Sequence, residues 1–111
     1  MTMLNITILR KTMHDLSFAE SLCGTRLIRR AVALHDEAPD MSTTKEMYPA
    51  IAKATGHTAY QVERSIRTAI ADAVECCDHL ETRLAWQRFM GGQTPTNREV
   101  IARLAEVARE N

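Results

Sequence analysis

A glycine followed by a short polar turn separates two stretches of helical pattern in this chain. Gly56 closes a first segment that begins at Pro49, and Thr58 opens a second segment with Gln61 three residues later. Glycine readily takes the left-handed conformation that ends a helix, and the Thr-x-x-Gln spacing is typical of a reciprocal helix cap. The sequence therefore predicts a helix, a tight turn and a second helix over about 49–77.

The second of these helices has one apolar side and one polar side. Its apolar residues recur at helical spacing, which predicts that they face a core: Val62, Ile66, Ala69, Ile70 and Ala73. Its opposite side carries hydrogen-bonding and cationic groups of the kind that contact bases and phosphates: Tyr60, Gln61, Arg64, Arg67 and Thr68. This arrangement favours a DNA-reading helix at about 59–77, supported by a small Ala52 where two helices could cross closely. An ordinary helical corner with a polar outer face has the same outline and stays open as an alternative.

Length and composition favour a single helical domain. The chain has 111 residues, of which 45% are hydrophobic and only 5% aromatic, so we expect one domain over 1–111 with an aliphatic core. A chain of this size buries roughly 65% of the surface that its unfolded form exposes, which is enough for stability without a metal or a disulfide.

The cysteines and histidines do not form a recognisable metal or catalytic pattern. Cys23, Cys76, Cys77 and His79 could be imagined as zinc ligands, but no Cys-x-x-Cys pair is present and neighbouring helical residues point about 100° apart. An odd number of cysteines favours a reducing cytoplasm over a disulfide framework. Because no nucleophile, base and orienting residue occur together, we expect no metal, no cofactor and no enzymatic activity, with the histidines at surface or cap positions: His14, His35, His57 and His79.

The N-terminal segment and the hydropathy of the chain indicate no export and no membrane insertion. The first residues have no basic stretch ahead of an apolar run and no small-residue cleavage site. No stretch approaches the roughly 18 uninterrupted apolar residues that a membrane span needs. We therefore expect a soluble, cytoplasmic protein.

The charge of the chain is balanced overall but unevenly distributed. Its 14 Lys and Arg equal its 14 Asp and Glu, which counts against a nucleic-acid partner. Basic residues nevertheless exceed acidic ones by two over 45–67, and acidic residues exceed basic ones by four over 68–82. This distribution would attract the leading end of the second helix to phosphate and repel its trailing end.

Repeated capping patterns and hydrophobic periodicity divide the whole chain into helices. The Ser/Thr-x-x-Glu/Gln pattern predicts helix starts at Ser17, Thr43, Thr58 and Thr96. Besides the central pair we expect helices at about 5–16, 18–36, 79–90 and 97–109, a connection at 37–43, a turn at 44–47 and a flexible break at 91–95. Gly24 is expected to interrupt the second helix, and Trp86 to serve packing rather than base stacking. The apolar residues of the 79–90 helix predict its inward face: Leu80, Leu84, Ala85 and Phe89. Because no period of two occurs, the predicted fold is an all-α bundle of about six helices.

The segment from Lys45 to Ala73, KEMYPAIAKATGHTAYQVERSIRTAIADA, resembles a known family. It is similar to the C-terminal DNA-binding domains of the stage-zero sporulation protein A family, response-regulator transcription factors of endospore-forming bacteria. The similarity rests on Tyr-Pro-x-Ile-Ala-Lys at 48–53 and on Val-Glu-Arg-x-Ile-Arg at 62–67. It extends to Gly24, Arg29 and Ala31 on one side and to Pro95-Thr96-Asn97 on the other, and so covers the chain from about residue 12.

The resemblance implies a fold, a function and a set of contact residues. Family members form a six-helix bundle whose fourth helix reads the major groove, and several copies bind tandem sites to activate or repress transcription. Carried over by position, Arg64 would read a guanine, Glu63 would contact a cytosine or orient Arg64, and Arg67 would grip phosphate. The full set of expected DNA contacts is Lys53, Thr58, Tyr60, Gln61, Glu63, Arg64, Arg67 and Thr68. Gln61 stands where the family usually has arginine, and Thr68 where it usually has histidine, which implies an altered sequence preference.

Double-stranded DNA is the partner that the resemblance implies, with a homodimer or tandem copies on DNA and the sigma subunit of RNA polymerase as further candidates. Full-length family members begin with a phosphorylatable receiver domain, and this sequence contains none, so we expect an effector that acts without a phosphorylation gate. A second class of function stays open. A helical protein-protein interaction module that has lost DNA binding would explain the zero net charge and the changes at Gln61 and Thr68, and would act on a related regulator or on RNA polymerase.

Overall fold

The computed structural model of the chain describes residues 4–75, 80–91 and 95–109. Within these ranges the chain forms six α-helices and one short π-helical segment, and no strand, which confirms the expected all-α bundle. In chain order the elements are α1 (Ile6–Asp15), α2 (Cys23–Glu37), the π-helical segment (Thr43–Met47), α3 (Tyr48–Thr55), α4 (Ala59–Glu75), α5 (Leu80–Met90) and α6 (Asn97–Arg109).

Helix α2 lies at the centre of the bundle, where it packs against both α4 and α6. Each of the three helices contributes aliphatic residues at the spacing of one helical face, and Ile28, Ile66 and Leu104 are completely buried. The inward face predicted for α4 is confirmed, since every residue assigned to it is buried, and α6 also buries one apolar face. The polar face of α4 therefore points away from the core. None of the helices in the described ranges is long and apolar enough to cross a membrane.

The start of α2 differs from the prediction. Ser17 does not cap a helix but takes a left-handed conformation (φ 66°) that ends α1, and the N–H of Phe18 donates to the carbonyl oxygen of Met13 at 3.1 Å. Phe18 is then buried in the core, and α2 begins only at Cys23. Gly24 also does not interrupt α2, because it lies in its first turn.

The connection into α3 is wider than the predicted turn. The N–H groups of Met47 and Tyr48 donate to the carbonyl oxygens five residues earlier, which makes Thr43–Met47 a π-helical segment. Its cap is the hydroxyl of Ser42, which accepts from the N–H of Lys45 at 3.3 Å, so the predicted Thr43 cap is wrong by one residue.

Helix α5 presents to the core a face that matches the predicted one only in part. Ala85 and Phe89 pack against the core as expected, but Leu80 and Leu84 do not. Leu80 is 67% exposed and Leu84 is 43% exposed, while Thr82 and Trp86 are buried. The indole N–H of Trp86 donates to the carbonyl oxygen of Leu16 at 2.9 Å, and its ring packs against two phenylalanines, which confirms its packing role. The predicted ends of α4 and α5 at 76, 77 and 79, and the predicted break at 92–94, lie outside the described residues.

Candidate nucleic-acid interface

The turn between α3 and α4 has the geometry that the sequence predicts. Gly56 ends α3 in a left-handed conformation with φ 77°. The N–H groups of Gly56 and His57 both donate to the carbonyl oxygen of Ala52, at 2.9 and 3.1 Å. Ala52 is buried, and its small side chain allows α3 and α4 to pack closely across this turn.

A reciprocal cap starts α4. The side-chain oxygen of Gln61 accepts from the N–H of Thr58 at 2.9 Å, and the hydroxyl of Thr58 accepts from the N–H of Gln61 at 3.1 Å. The two side chains thereby satisfy backbone donors that the first helical turn leaves without partners. The cap uses the carbonyl oxygen of Gln61 and leaves its amide NH₂ group available to a ligand.

The outer face of α4 is exposed and polar. Lys53 at the end of α3 and Tyr60, Arg64 and Thr68 on α4 are all exposed, with Tyr60 at 67%. Among the described residues no hydrogen bond or ion pair engages the guanidinium group of Arg64. An exposed planar guanidinium on such a face can form two parallel hydrogen bonds to a base edge or a phosphate.

Glu63 lies beside Arg67, four residues along the same helix, and the two side chains form an ion pair. Glu63 is 34% exposed and Arg67 is 66% exposed, so the guanidinium group of Arg67 extends further into solvent than its partner. The family resemblance implied that Glu63 could orient Arg64. In this structure its carboxylate engages Arg67 instead.

The first turn of α2 lies beside the outer face of α4. Leu22, Cys23 and Gly24 form a small cleft of about 240 Å³ with Arg64, Ser65 and Thr68. The Cys23 thiol is exposed there, and its Sγ lies 3.8 Å from Nε2 of His57 in the turn. No group of three potential metal ligands occurs within the described ranges. The imagined zinc ligands Cys76, Cys77 and His79 lie outside those ranges.

Asn97, the first residue of α6, contacts both helices of the pair from the other side. Its amide Nδ2 donates to the hydroxyl oxygen of Tyr48 and to the carbonyl oxygen of Glu63, each at 3.1 Å. Burial raises the pKa of Tyr48 above its ordinary value of 10.0, and the hydrogen bond from Asn97 opposes that shift. This contact could not be predicted from the sequence, because Asn97 lies 34 residues from Glu63 along the chain.

Two helices joined by a tight left-handed turn, with a polar and partly cationic face on the second, form a helix-turn-helix, an arrangement that many DNA-binding proteins share. The chain belongs to the family described as sporulation initiation factor Spo0A C terminal, whose family model matches residues 9–107. This match confirms the resemblance noted from the sequence and makes the chain a member of a DNA-binding regulator family rather than an enzyme family.

Proposed function

We propose that this chain is a sequence-specific transcriptional regulator that inserts α4 into the major groove of DNA. The observation that carries the proposal is the guanidinium group of Arg64, which is exposed on the outer face of α4 and engaged by no hydrogen bond or ion pair within the described residues. A bidentate arginine contact to the O6 and N7 atoms of guanine is the commonest specific contact in the major groove. Arg64 accordingly reads a guanine.

The remaining candidate residues divide into those that contact bases and those that bind phosphates. Glu63 and Arg67 act as a unit, in which the carboxylate holds the guanidinium group toward a phosphate or accepts from a cytosine. Lys53 anchors a phosphate from the end of α3. Tyr60 and Thr68 lie on either side of Arg64 on the same face, and Thr58 and Gln61 contribute the leading end of the helix.

The family places double-stranded DNA first among the partners, and a DNA partner implies a cytoplasmic location at the nucleoid. The continuous core that joins α1, α2, α4 and α6 supports treating the chain as one DNA-binding domain. Binding as a homodimer or as tandem copies, and contact with the sigma subunit of RNA polymerase, belong to the same proposal.

A second candidate function is a helical interaction module that acts on a related regulator or on RNA polymerase. The zero net charge favours it, because nucleic-acid binders are usually basic. The ion pair with Glu63 also reduces the positive charge that Arg67 offers to a phosphate.

Selection of binding sites from random duplexes, followed by affinity measurements at several salt concentrations, tests the proposal. We expect enrichment of one sequence and a preference for it over a scrambled duplex. The Arg64→Ala variant should lose about 1–3 kcal/mol of that preference. The Arg67→Ala and Lys53→Ala variants should instead weaken binding to both duplexes alike and flatten the salt dependence by about one phosphate contact.

The two candidate functions give opposite results in this experiment. A parent chain that prefers no duplex over any other would refute sequence-specific reading. If such a chain still bound a related regulator or a polymerase subunit, the interaction module would replace the proposal. If the parent discriminated and Arg64→Ala discriminated equally well, DNA reading would stand and the role assigned to Arg64 would fall.

A further inference from the structure

Two contacts from outside the helix-turn-helix hold α4 on either side of Arg64. On one side, the amide of Asn97 donates to the carbonyl oxygen of Glu63 at 3.1 Å. On the other, Gly24 in the first turn of α2 packs against the carbonyl group of Ser65. The two contacted carbonyl groups belong to Glu63 and Ser65, the residues immediately before and after the one that the proposed function assigns to base reading.

The contact at Gly24 depends on the absence of a side chain. A Cβ atom built on Gly24 would lie 2.0 Å from the carbonyl oxygen of Ser65 and 2.8 Å from Cβ of Ala69. Both are far inside van der Waals contact, and the first atom belongs to the backbone and cannot move without moving α4. The backbone of α2 therefore fixes how closely α4 approaches the bundle at Ser65.

The contact at Asn97 is held in place by the cap of α6. Thr96 and Glu99 form a reciprocal cap, with the N–H of Thr96 donating to the Glu99 carboxylate and the N–H of Glu99 to the Thr96 hydroxyl, each at 3.2 Å. This cap orders the first turn of α6, and Asn97 lies in that turn. Its two amide hydrogens are divided between the Tyr48 hydroxyl and the Glu63 carbonyl, so the contact links α3, α4 and α6.

Base reading needs more accurate placement than phosphate binding. Side-chain tips lie about 5–6 Å from a helix axis, so a rotation of about 10° displaces them by roughly 1 Å. Two hydrogen bonds to one base edge require placement within about 0.5 Å, whereas a contact to phosphate tolerates a larger displacement. A small rotation of α4 would thus remove discrimination between sequences and leave general affinity for DNA.

We propose that Asn97 and Gly24 are positioning residues for specificity, which set the rotation and depth of α4 so that Arg64 meets a base edge. The inference rests on the proposed function of α4. Neither residue contacts DNA itself. Each acts on Arg64 through the backbone carbonyl of an adjacent residue, Glu63 for Asn97 and Ser65 for Gly24.

Two variants that differ by single atoms separate this role from general stability. In Asn97→Asp the side chain keeps its shape, and its carboxylate can accept from the Tyr48 hydroxyl, to which the Asn97 amide donates in the parent. The carboxylate cannot donate to the Glu63 carbonyl. In Tyr48→Phe the Asn97 amide still donates to the Glu63 carbonyl, but it loses its hydrogen bond to the Tyr48 hydroxyl. The added negative charge of Asn97→Asp weakens binding to every duplex alike, so the readout is the ratio of affinities for the selected and scrambled duplexes.

We expect Asn97→Asp to reduce that ratio about fivefold or more, which corresponds to the lower end of one bidentate base contact. Tyr48→Phe should keep the ratio within about twofold, even though it removes a hydrogen bond of similar size. Hydrogen exchange of the amides near Arg64 gives a second readout, and it should be faster in Asn97→Asp and close to parental in Tyr48→Phe.

The possible failures are distinguishable. A parent chain without any duplex preference would overturn the proposed function together with this inference. A parent that discriminates, with an Asn97→Asp variant that discriminates equally, would overturn the positioning role alone. Equal losses of discrimination in Asn97→Asp and Tyr48→Phe would also overturn it, because they would show that specificity follows general stability.

Discussion

Helices α4 and α5 both bury side chains in the bundle, but α4 also has backbone contacts from other helices beside its reading residue. The reading half of α4 is fixed by the amide of Asn97 and the bare backbone of Gly24 in addition to its buried apolar face. Helix α5 is fixed through its side chains, chiefly the buried indole of Trp86. The outer face of α4 is polar and cationic, whereas that of α5 exposes Leu80 and Leu84.

This difference indicates a division of tasks between the two helices. Contacts to a helix backbone fix its rotation and its depth, while a buried aromatic ring contributes free energy chiefly through the apolar area that it removes from water. We therefore expect changes at the backbone contacts of α4 to alter DNA discrimination, and changes in α5 to alter stability without altering discrimination. Substitutions in and around the two helices test this division.

Replacement of Trp86 by alanine should have the largest effect on stability. The ring is buried between Phe18 and Phe89, with centroids at 5.7 Å from each, and its N–H satisfies the carbonyl oxygen of Leu16. Removal of a buried tryptophan costs about 3–5 kcal/mol of the free energy of unfolding. Urea unfolding followed by circular dichroism measures this loss.

Leu84 provides the matched control for Trp86, because it lies on the same helix and is 43% exposed. Leu84→Ala should change the free energy of unfolding by less than about 1 kcal/mol. At a temperature where Trp86→Ala is still folded, its ratio of affinities for selected and scrambled duplexes should match that of the parent. A selective loss of discrimination in Trp86→Ala would break the division between α4 and α5.

Replacement of Gly24 by alanine should affect both stability and discrimination. The new methyl group would overlap the Ser65 carbonyl oxygen, and overpacking of this kind costs about 1–3 kcal/mol. Gly56→Ala is the control, since nothing lies within 4 Å of its Cβ position and only the left-handed backbone is strained, at about 1 kcal/mol. Unfolding measurements should rank Gly24→Ala as the less stable variant. If Gly56→Ala were the less stable variant, α2 and α4 could move apart at Gly24 without a measurable loss of stability.

The helix-turn-helix could be predicted from the sequence because its signals are local. Gly56 and the cap of Thr58 with Gln61 lie within six consecutive residues, and each has the predicted geometry. The face of α5 could not be predicted in this way. Its rotation is set by the bond of Trp86 to Leu16, 70 residues away, and by the bond of Thr82 to Ser17, 65 residues away.

Helical periodicity predicted the positions of the candidate DNA contacts on α4. It did not predict the residues of other helices, Gly24 and Asn97, that contact the backbone of α4. Periodicity places Arg64 on the outer face of α4, and the structure has it there. Gly24 was expected to interrupt α2, because sequence alone does not show that a second helix passes against it. Likewise, a donor such as Asn97 finds its acceptor only after the chain has folded.

The pH dependence of stability tests whether the Tyr48 hydroxyl is buried at the junction of α3, α4 and α6. Because burial raises the pKa of Tyr48, its neutral form is favoured in the folded state. This contribution is fully present below the ordinary pKa of 10.0 and is lost as the pH rises through the pKa of the folded state. Thermal unfolding from pH 8 to 11 should show the decline in the parent.

Tyr48→Phe should lack this component of the alkaline decline, and it should be less stable than the parent by about 0.5–1.5 kcal/mol at neutral pH because one hydrogen bond is lost. The difference in melting temperature between parent and variant should therefore narrow as the pH rises. If the difference in melting temperature stayed constant to pH 11, the pKa of the Tyr48 hydroxyl would be the same in the folded and unfolded states. The hydroxyl would then not be buried at the junction of α3, α4 and α6.

The smallest expected effect is at the ion pair of Glu20 with Arg29. This pair lies at the surface of α2 and takes no part in the contacts described above for α4 and α5. Two hydrogen bonds of 3.0 Å join the guanidinium group to the carboxylate, and with the charges of Arg29 and two further arginines they hold the pKa of Glu20 below its usual range. The carboxylate is 69% exposed, so solvent screens the pair and Glu20→Gln should cost less than about 0.5 kcal/mol. That contribution is present above the ordinary carboxyl pKa of 4.5 and is lost as the pH falls through the lower pKa of the folded state. Parent and variant should therefore converge in stability below pH 4, and a cost above about 1 kcal/mol would show that this surface pair, like the backbone contacts of α4, positions a helix.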